Sequence, residues 1–312
     1  MKNCFVTITA NPSIDKMLCI DNFMVGEINR PQRSLSLAGG KGLNVSRVLN
    51  RLGVPLCACV LLGGYCGRWI EGNLKEEKIQ TCVTWGDGET RTCFSIINLL
   101  SGETTSVYEQ GFMVTPKVWY DFEDSVESRI DAASAVIISG SLPPGAPVDG
   151  YARLIRRARV RSVPVLLDTY GEALKIALPA RPWVLKINAE EAGDITGRVI
   201  KTFTDAVCAA QVLHDQGIPV IVVTLGSLGS VAVSTDGIWA AAPPAIKTLS
   251  AVGSGDAFLA GLSFALLEGS ELPQALRLGT AAGAANAASF GTGNIDVSLI
   301  NTLSKQVNIS KI

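Results

Sequence analysis

The 312 residues are 47% hydrophobic and 18% charged, a balance that buries a substantial core and excludes a disordered chain. Lysine plus arginine number 27 and aspartate plus glutamate 28, so no global field exists to hold nucleic acid or an anionic membrane. Any anionic ligand must be met by local Arg and Lys side chains.

Residues 3–9 alternate in β formers and break at Asn11-Pro12, which predicts a strand and a loop. Alternating runs from Met17 to Ile20 and from Arg33 to Leu37 flank the turn-like Val25-Gly26-Glu27, a small β excursion. Ala38 to Ser46 opens a helix that runs to about Leu52 and stops at Gly53. Val54 to Leu62 is wholly apolar, as in a buried parallel strand. A helix from Gly67 to Lys78 and a strand from Thr81 to Trp85 follow. Residues 90–109 predict a second excursion, Thr92 to Leu99 and Thr104 to Tyr108 about the turn Ser101-Gly102. From Pro116 onward strands (135–138, 163–167, 183–187, 219–224) alternate with helices (148–160, 188–195, 206–216). A late hairpin at 229–234 and 238–242 precedes two Ala-rich helices, 255–268 and 272–288, which end the pattern. Repeated β–α units with apolar strands mean a parallel sheet covered by helices. The excursions 13–36 and 90–111 do not fit that sheet and are expected to pair with each other as a small β lid. The remainder, 1–12, 37–89 and 112–312, is the α/β core.

The eight cysteines show no C-x-x-C spacing, and several fall in apolar runs. That is the pattern of reduced thiols in a cytoplasmic protein. The run Met-Lys-Asn-Cys-Phe-Val-Thr-Ile lacks a signal-peptide layout, and no apolar run is long enough to span a bilayer. The single histidine, His214, ends a helical pattern, where a solvated residue is expected. With one histidine, a general base is to be sought among the carboxylates.

Ala251-Val-Gly-Ser-Gly-Asp-Ala-Phe-Leu-Ala-Gly261 joins a turn to a helix start. Gly253, Ser254 and Gly255 let backbone N–H groups approach an anion there. Asp256 in the first helical turn reads either as a capping residue or as a base that takes a proton from an attacking hydroxyl. On these residues alone capping is the simpler reading. Polar clusters also fall at predicted strand ends, where α/β sheets bind ligands: Asn11-Pro-Ser-Ile-Asp15, Ser139-Gly-Ser-Leu-Pro-Pro-Gly145, Lys186-Ile-Asn-Ala-Glu-Glu191 and Thr224-Leu-Gly-Ser-Leu-Gly229. Each alone is an ordinary turn; their recurrence on one edge is not. Gly39-Gly-Lys-Gly-Leu-Asn44 lacks Walker A spacing, and no Rossmann fingerprint follows a strand.

Taken in order, Asn11-Pro-Ser-Ile-Asp15, Gly39-Gly-Lys-Gly-Leu-Asn-Val-Ser-Arg47, Ser139-Gly-Ser-Leu-Pro, Asn188-x-x-Glu191, Thr224-Leu-Gly-Ser-x-Gly229 and Val252-Gly-Ser-Gly-Asp256 resemble the ribokinase-like PfkB carbohydrate kinases. The likeness is to the branch that phosphorylates ketohexose phosphates, the 1-phosphofructokinases and tagatose-6-phosphate kinases. It implies a three-layer α/β/α fold with a mostly parallel central sheet and a β-sheet lid, ATP and Mg2+ as cofactors and a sugar phosphate as substrate; a lid sheet has an exposed face and edges, so a homodimer through the lid is expected. It implies Asp256 as catalytic base, with Gly253, Ser254 and Gly255 as an anion hole. Asp15, Gly39, Gly40, Lys41, Asn44 and Ser139 match sugar-binding positions, and Thr224, Gly226, Ser227 and Gly229 the nucleotide loop, which Gly255 also meets. Asn188 and Glu191 match the pair that organises the metal, through water. Arg91 matches a clamp on the substrate's phosphate, with Lys41 and then Arg30 as further candidates.

Ser250-Ala251 stands where many members carry Asp-Thr, an Asp that belongs to a monovalent-cation site, so the departure argues against potassium activation. The alternatives are a kinase of an unphosphorylated sugar or nucleoside, and a sugar-phosphate-binding regulator without catalysis.

Overall fold

The computed structural model describes residues 4–312; residues 1–3, which patterning assigns to the core and in part to the first strand, lie outside the described residues. The first elements are β1 (Cys4–Thr9), β2 (Ser13–Ile20), β3 (Arg33–Gly39), α1 (Lys41–Arg51), β4 (Leu56–Gly63), α2 (Gly64–Glu76) and β5 (Gln80–Gly86). Then come β6 (Arg91–Asn98), β7 (Thr104–Tyr108), α3 (Pro116–Ile130), β8 (Ala133–Ser139), α4 (Gly150–Val160), β9 (Val165–Asp168), α5 (Gly171–Ala177), β10 (Val184–Asn188) and α6 (Ala189–Thr196). The last are α7 (Phe203–His214), β11 (Val220–Thr224), β12 (Ser230–Ser234), β13 (Gly237–Ala242), α8 (Ser254–Leu267), α9 (Leu272–Ala287), α10 (Val297–Ser304) and β14 (Asn308–Lys311).

Among the described residues ten strands form one sheet in the order β14-β13-β12-β11-β10-β9-β8-β1-β4-β5. From β5 to β11 every pairing is parallel; β12, β13 and β14 extend that edge antiparallel. Strand alternation sends Val6, Ile8, Cys59 and Leu61 to one face, under α3 to α7. It sends Phe5, Ala58, Val60 and Leu62 to the other, under α1, α2, α8, α9 and α10. Each fully buried Val, Leu or Ile contributes about 1.5–3 kcal/mol. The strands are thereby fixed, and so are the loops at their carboxyl ends. This is the three-layer α/β/α arrangement.

The second sheet, in the order β3-β2-β6-β7, joins the two excursions through a parallel pairing of β2 with β6. Its inner face packs Met17, Cys19 and Ile97 with Leu35 and Phe290. β7 is exposed along its length.

Three differences from the patterning have local causes. Helix α2 starts at Gly64 rather than Gly67, because the distant Glu89 carboxylate accepts from the N–H groups of Tyr65 and Cys66 at 3.2 and 2.6 Å. Strand β2 starts at Ser13 rather than Met17, since β3 and β6 flank it from that residue on. The Ala-rich helices are not the last elements: α10 follows, and the four-residue β14, too short to signal itself, pairs with β13. No helix among the described residues is long and apolar enough to cross a membrane. His214 is half-buried and donates from Nδ1 to the Ile218 carbonyl at 2.9 Å, so it is tied into its turn rather than solvated.

Candidate active site

The carboxyl ends of β1, β8, β10 and β11, the N-termini of α1 and α8, and the small sheet enclose a cavity of about 860 Å³. Asp15, Gly40, Lys41, Asn44, Arg91, Ser139, Asn188, Thr224, Gly226, Ser227, Gly229, Gly253, Ser254, Gly255 and Asp256 all line it. Gly39 and Glu191 are not on its wall, and Arg30 is exposed elsewhere. A Cβ on Gly39 would fall 2.0 Å from Cγ of Asp15. Glycine there makes room for the Asp15 carboxylate.

The start of α8 is shaped for an anion. Gly253 caps it at φ 78°, and a Cβ there would meet Thr292 at 2.5 Å, so only glycine fits. The N–H groups of Gly253 and Gly255 have no acceptor among the described residues. Lys186 Nζ stands 3.0 Å from where a Gly255 Cβ would be. Free amides, the helix dipole and an ammonium thus converge on one point.

Beneath that point lies a charge web. Asp168, fully buried at the end of β9, accepts from Lys186 Nζ at 2.6 Å and from Lys41 Nζ at 3.0 Å. Burial alone would raise the Asp168 pKa, but the two lysines outweigh it and hold the carboxyl below the ordinary range. Burial likewise disfavours the Lys41 ammonium, yet Asp168, Glu191 and Asp256 together keep it firmly charged. Asp256 has no such clasp. Among the described residues its side chain receives one hydrogen bond, from Asn44 Nδ2 at 2.8 Å. Burial, followed by the Asp168 charge, pushes its pKa up to about 7, against the pull of Lys41, Asn44 and Lys186. A carboxylate with that pKa takes up a proton readily at neutral pH.

The small-sheet end carries Asp15 and Arg91. Asp15 accepts from Ser13 Oγ at 2.6 Å; burial raises its pKa despite that bond, the Gly40 amide, Arg47 and Arg91. Arg91 donates to the carbonyls of Asn11, Glu109 and Pro12 at 2.9, 3.0 and 3.4 Å. Those bonds fix the guanidinium at the cavity wall with donors to spare.

Asn188 and Glu191 form a capping box on α6: Asn188 Oδ1 accepts from the Glu191 N–H at 2.9 Å, and Glu191 Oε2 from the Asn188 N–H at 2.8 Å. Glu191 Oε1 lies 3.7 Å from Lys41 Nζ. Among the described residues no group of three or more His, Cys, Asp or Glu is placed to hold a metal directly. A metal at this pair would draw its remaining ligands from water and phosphate. The cavity also has an apolar end, lined by Pro243, Pro244, Ile246 and Phe258 together with Gly283 and Ala284 of α9.

Asp168 and Lys186 were given no role from the sequence, although each left a signal. Asp168 ends an apolar strand on the ligand edge, and Lys186 interrupts another. A lysine inside a buried strand needs a carboxylate partner.

A family model described as pfkB family carbohydrate kinase matches residues 8–298. A 1-phosphofructokinase of Bacillus subtilis (strain 168) is 30% identical over 306 residues, covering 98% of this chain and 99% of that protein. The tetrameric inhibited form of phosphofructokinase-2 from Escherichia coli superposes with a TM-score of 0.87 at 25% identity, over 98% of this chain and 99% of that one. Arabidopsis thaliana ribokinase complexed with ribose and ATP superposes at 0.77 and 20% identity, over 98% and 99%, a likeness of fold. The chain belongs to the pfkB family of carbohydrate kinases.

Proposed function

We propose that the protein transfers the γ-phosphoryl group of ATP to a hydroxyl of a ketohexose monophosphate and releases the bisphosphate and ADP. The observation that carries this reading is the meeting of Asp256, a proton acceptor poised near pH 7, with the amides and ammonium at the start of α8. Asp256 takes the proton of the attacking hydroxyl. The Gly253 and Gly255 amides and Lys186 hold the transferring phosphoryl group, and Lys41 faces its other side. Little covalent work is asked of the protein; positioning and charge stabilisation carry the rate.

The nucleotide lies along Thr224 to Gly229, with its base in the apolar end against Pro243, Ile246 and α9. Glu191 Oε1 and the Asn188 amide suit a hydrated magnesium ion, which would neutralise phosphate charge when bound. Asp15, Asn44 and Ser139 meet the sugar hydroxyls. The small sheet, residues 13–36 and 90–111, acts as a lid that closes over the sugar and excludes water. Its exposed β7 edge suits pairing with a second copy into a homodimer.

Arg91 sets the substrate class. A planar guanidinium fits a phosphate in a two-pronged contact that a hydroxyl does not repay. Arg91→Ala is expected to raise KM for the ketohexose phosphate by about 10- to 100-fold, with kcat changed by less than about fivefold. Initial-rate kinetics on wild type and variant check this. An unphosphorylated true substrate would leave KM unmoved.

A further inference from the structure

Arg47 is absent from the cavity wall, yet it is only 3% exposed and joins four segments. Its Nε donates to both carboxylate oxygens of Glu77 at 3.0 and 2.8 Å. Nη2 donates to the Ala38 carbonyl at the end of β3. Nη1 donates to the Thr292 carbonyl at 3.2 Å and to Asn44 Oδ1 at 3.3 Å. The last contact matters for chemistry. Arginine offers only donors, so the oxygen of the Asn44 amide must be the end that faces it. The amide nitrogen is then turned toward Asp256, to which it donates at 2.8 Å. A flipped amide would set oxygen against carboxylate on one side and nitrogen against guanidinium on the other.

We propose that Arg47 is a positioning residue for phosphoryl transfer: it fixes which way the Asn44 amide points and so maintains the hydrogen bond that orients Asp256. The inference rests on Asp256 being the proton acceptor. The other charges facing Asp256 are Asp168 from β9, Lys41 from α1 and Lys186 from β10. None of them touches Arg47, whose charge is matched by Glu77. Loss of the Asn44 donation therefore moves the Asp256 carboxyl in one direction, upward from about 7. Arg47 also helps to lower the Asp15 pKa, so the informative comparison is between two neutral replacements.

The test uses a Glu77→Gln background, in which no buried charge is left unpaired once Arg47 is replaced. Arg47→Met fills the space and donates nothing. Arg47→Gln keeps an N–H that reaches a residue one helical turn away. In Arg47→Met the acid limb of kcat/KM is expected to rise by about one pH unit, and kcat at pH 7 to fall by about fivefold, with KM for both substrates within about twofold. Arg47→Gln in the same background should stay within about 0.3 units of wild type, in which Arg47 and Glu77 are paired. Coincident limbs in the Met and Gln variants, whatever their melting temperatures, overturn the proposal. The relay is also probed from its other end without disturbing Arg47. Asn44→Ser cannot bridge both partners, and an unmoved acid limb there overturns the proposal even if Arg47→Met does not fold. Asp256→Asn separates the two readings. Retained turnover removes the proton-acceptor assignment, whereas lost turnover with coincident Met and Gln limbs removes only the role of Arg47.

Discussion

Asp256→Asn is expected to lower kcat by about 10³-fold while leaving sugar-phosphate and nucleotide binding within about threefold of wild type. Asparagine keeps the shape and the contact with Asn44 but accepts no proton. The same substitution should stabilise the fold above neutrality. The carboxyl's ordinary value is 3.8, and in the folded protein it lies at about 7. Folding therefore favours the protonated form. That contribution is intact below pH 3.8 and is lost as pH rises through 7, where the folded protein must hold a buried charge. The cost at pH 8 is on the order of 4 kcal/mol. Urea unfolding of wild type and Asp256→Asn should show a gap that opens between about pH 4 and 7 and is flat above it. A variant as unstable as it is inactive would mean that Asp256 serves the fold and not the reaction.

Asp168→Asn should act in the opposite sense on stability. It leaves Lys41 and Lys186 beside a neutral amide, and breaking a buried ion pair costs about 3–5 kcal/mol. The Asp168 pKa is held below its ordinary 3.8 in the folded protein. Its stabilisation is therefore complete above that value and is lost as pH falls through the lower, folded one. The deficit of the variant should hold across neutral pH and close only in strong acid. Activity carries a second signature. The Asp168 charge helps to raise the Asp256 pKa, so its removal should shift the acid limb of kcat/KM downward from about 7. Loss of the Arg47 relay shifts the same limb upward. Thermal unfolding and pH–rate profiles of the two variants distinguish these effects.

Much of the fold was legible because its signals are local. Apolar strands such as Leu56–Gly63 need only their own residues to announce burial on both faces, and Gly53 or Asn188 marks a helix end within a few positions. The Gly253–Asp256 turn was visible for the same reason. What sequence did not yield is long-range. Glu89 starts a helix that lies before it in the chain, and Asp168 clasps a lysine 127 positions away. Gly39 shows how a glycine can serve the fold within a motif. Its place in a glycine-rich motif reads as a ligand contact, and the packing reason for a glycine there, room for Asp15 on the neighbouring strand, is visible only in three dimensions. Glu191 is similar: its backbone-facing oxygen belongs to the cap of α6, and only Oε1 is left to act beyond it. The apolar end was missed because small residues on α9 read as helix packing, which they also are.

The central claim is a phosphoryl transfer to a sugar that already bears a phosphate. An ADP-release assay with Mg2+ and ATP tests it directly, run on fructose 1-phosphate, fructose 6-phosphate and tagatose 6-phosphate alongside free fructose, tagatose, ribose and adenosine. The account predicts a kcat/KM for one ketohexose phosphate at least about 10²-fold above every unphosphorylated compound, because only the phosphate engages Arg91. Turnover confined to an unphosphorylated sugar or nucleoside would contradict it and return Arg91 to bracing the loop at Asn11 and Pro12.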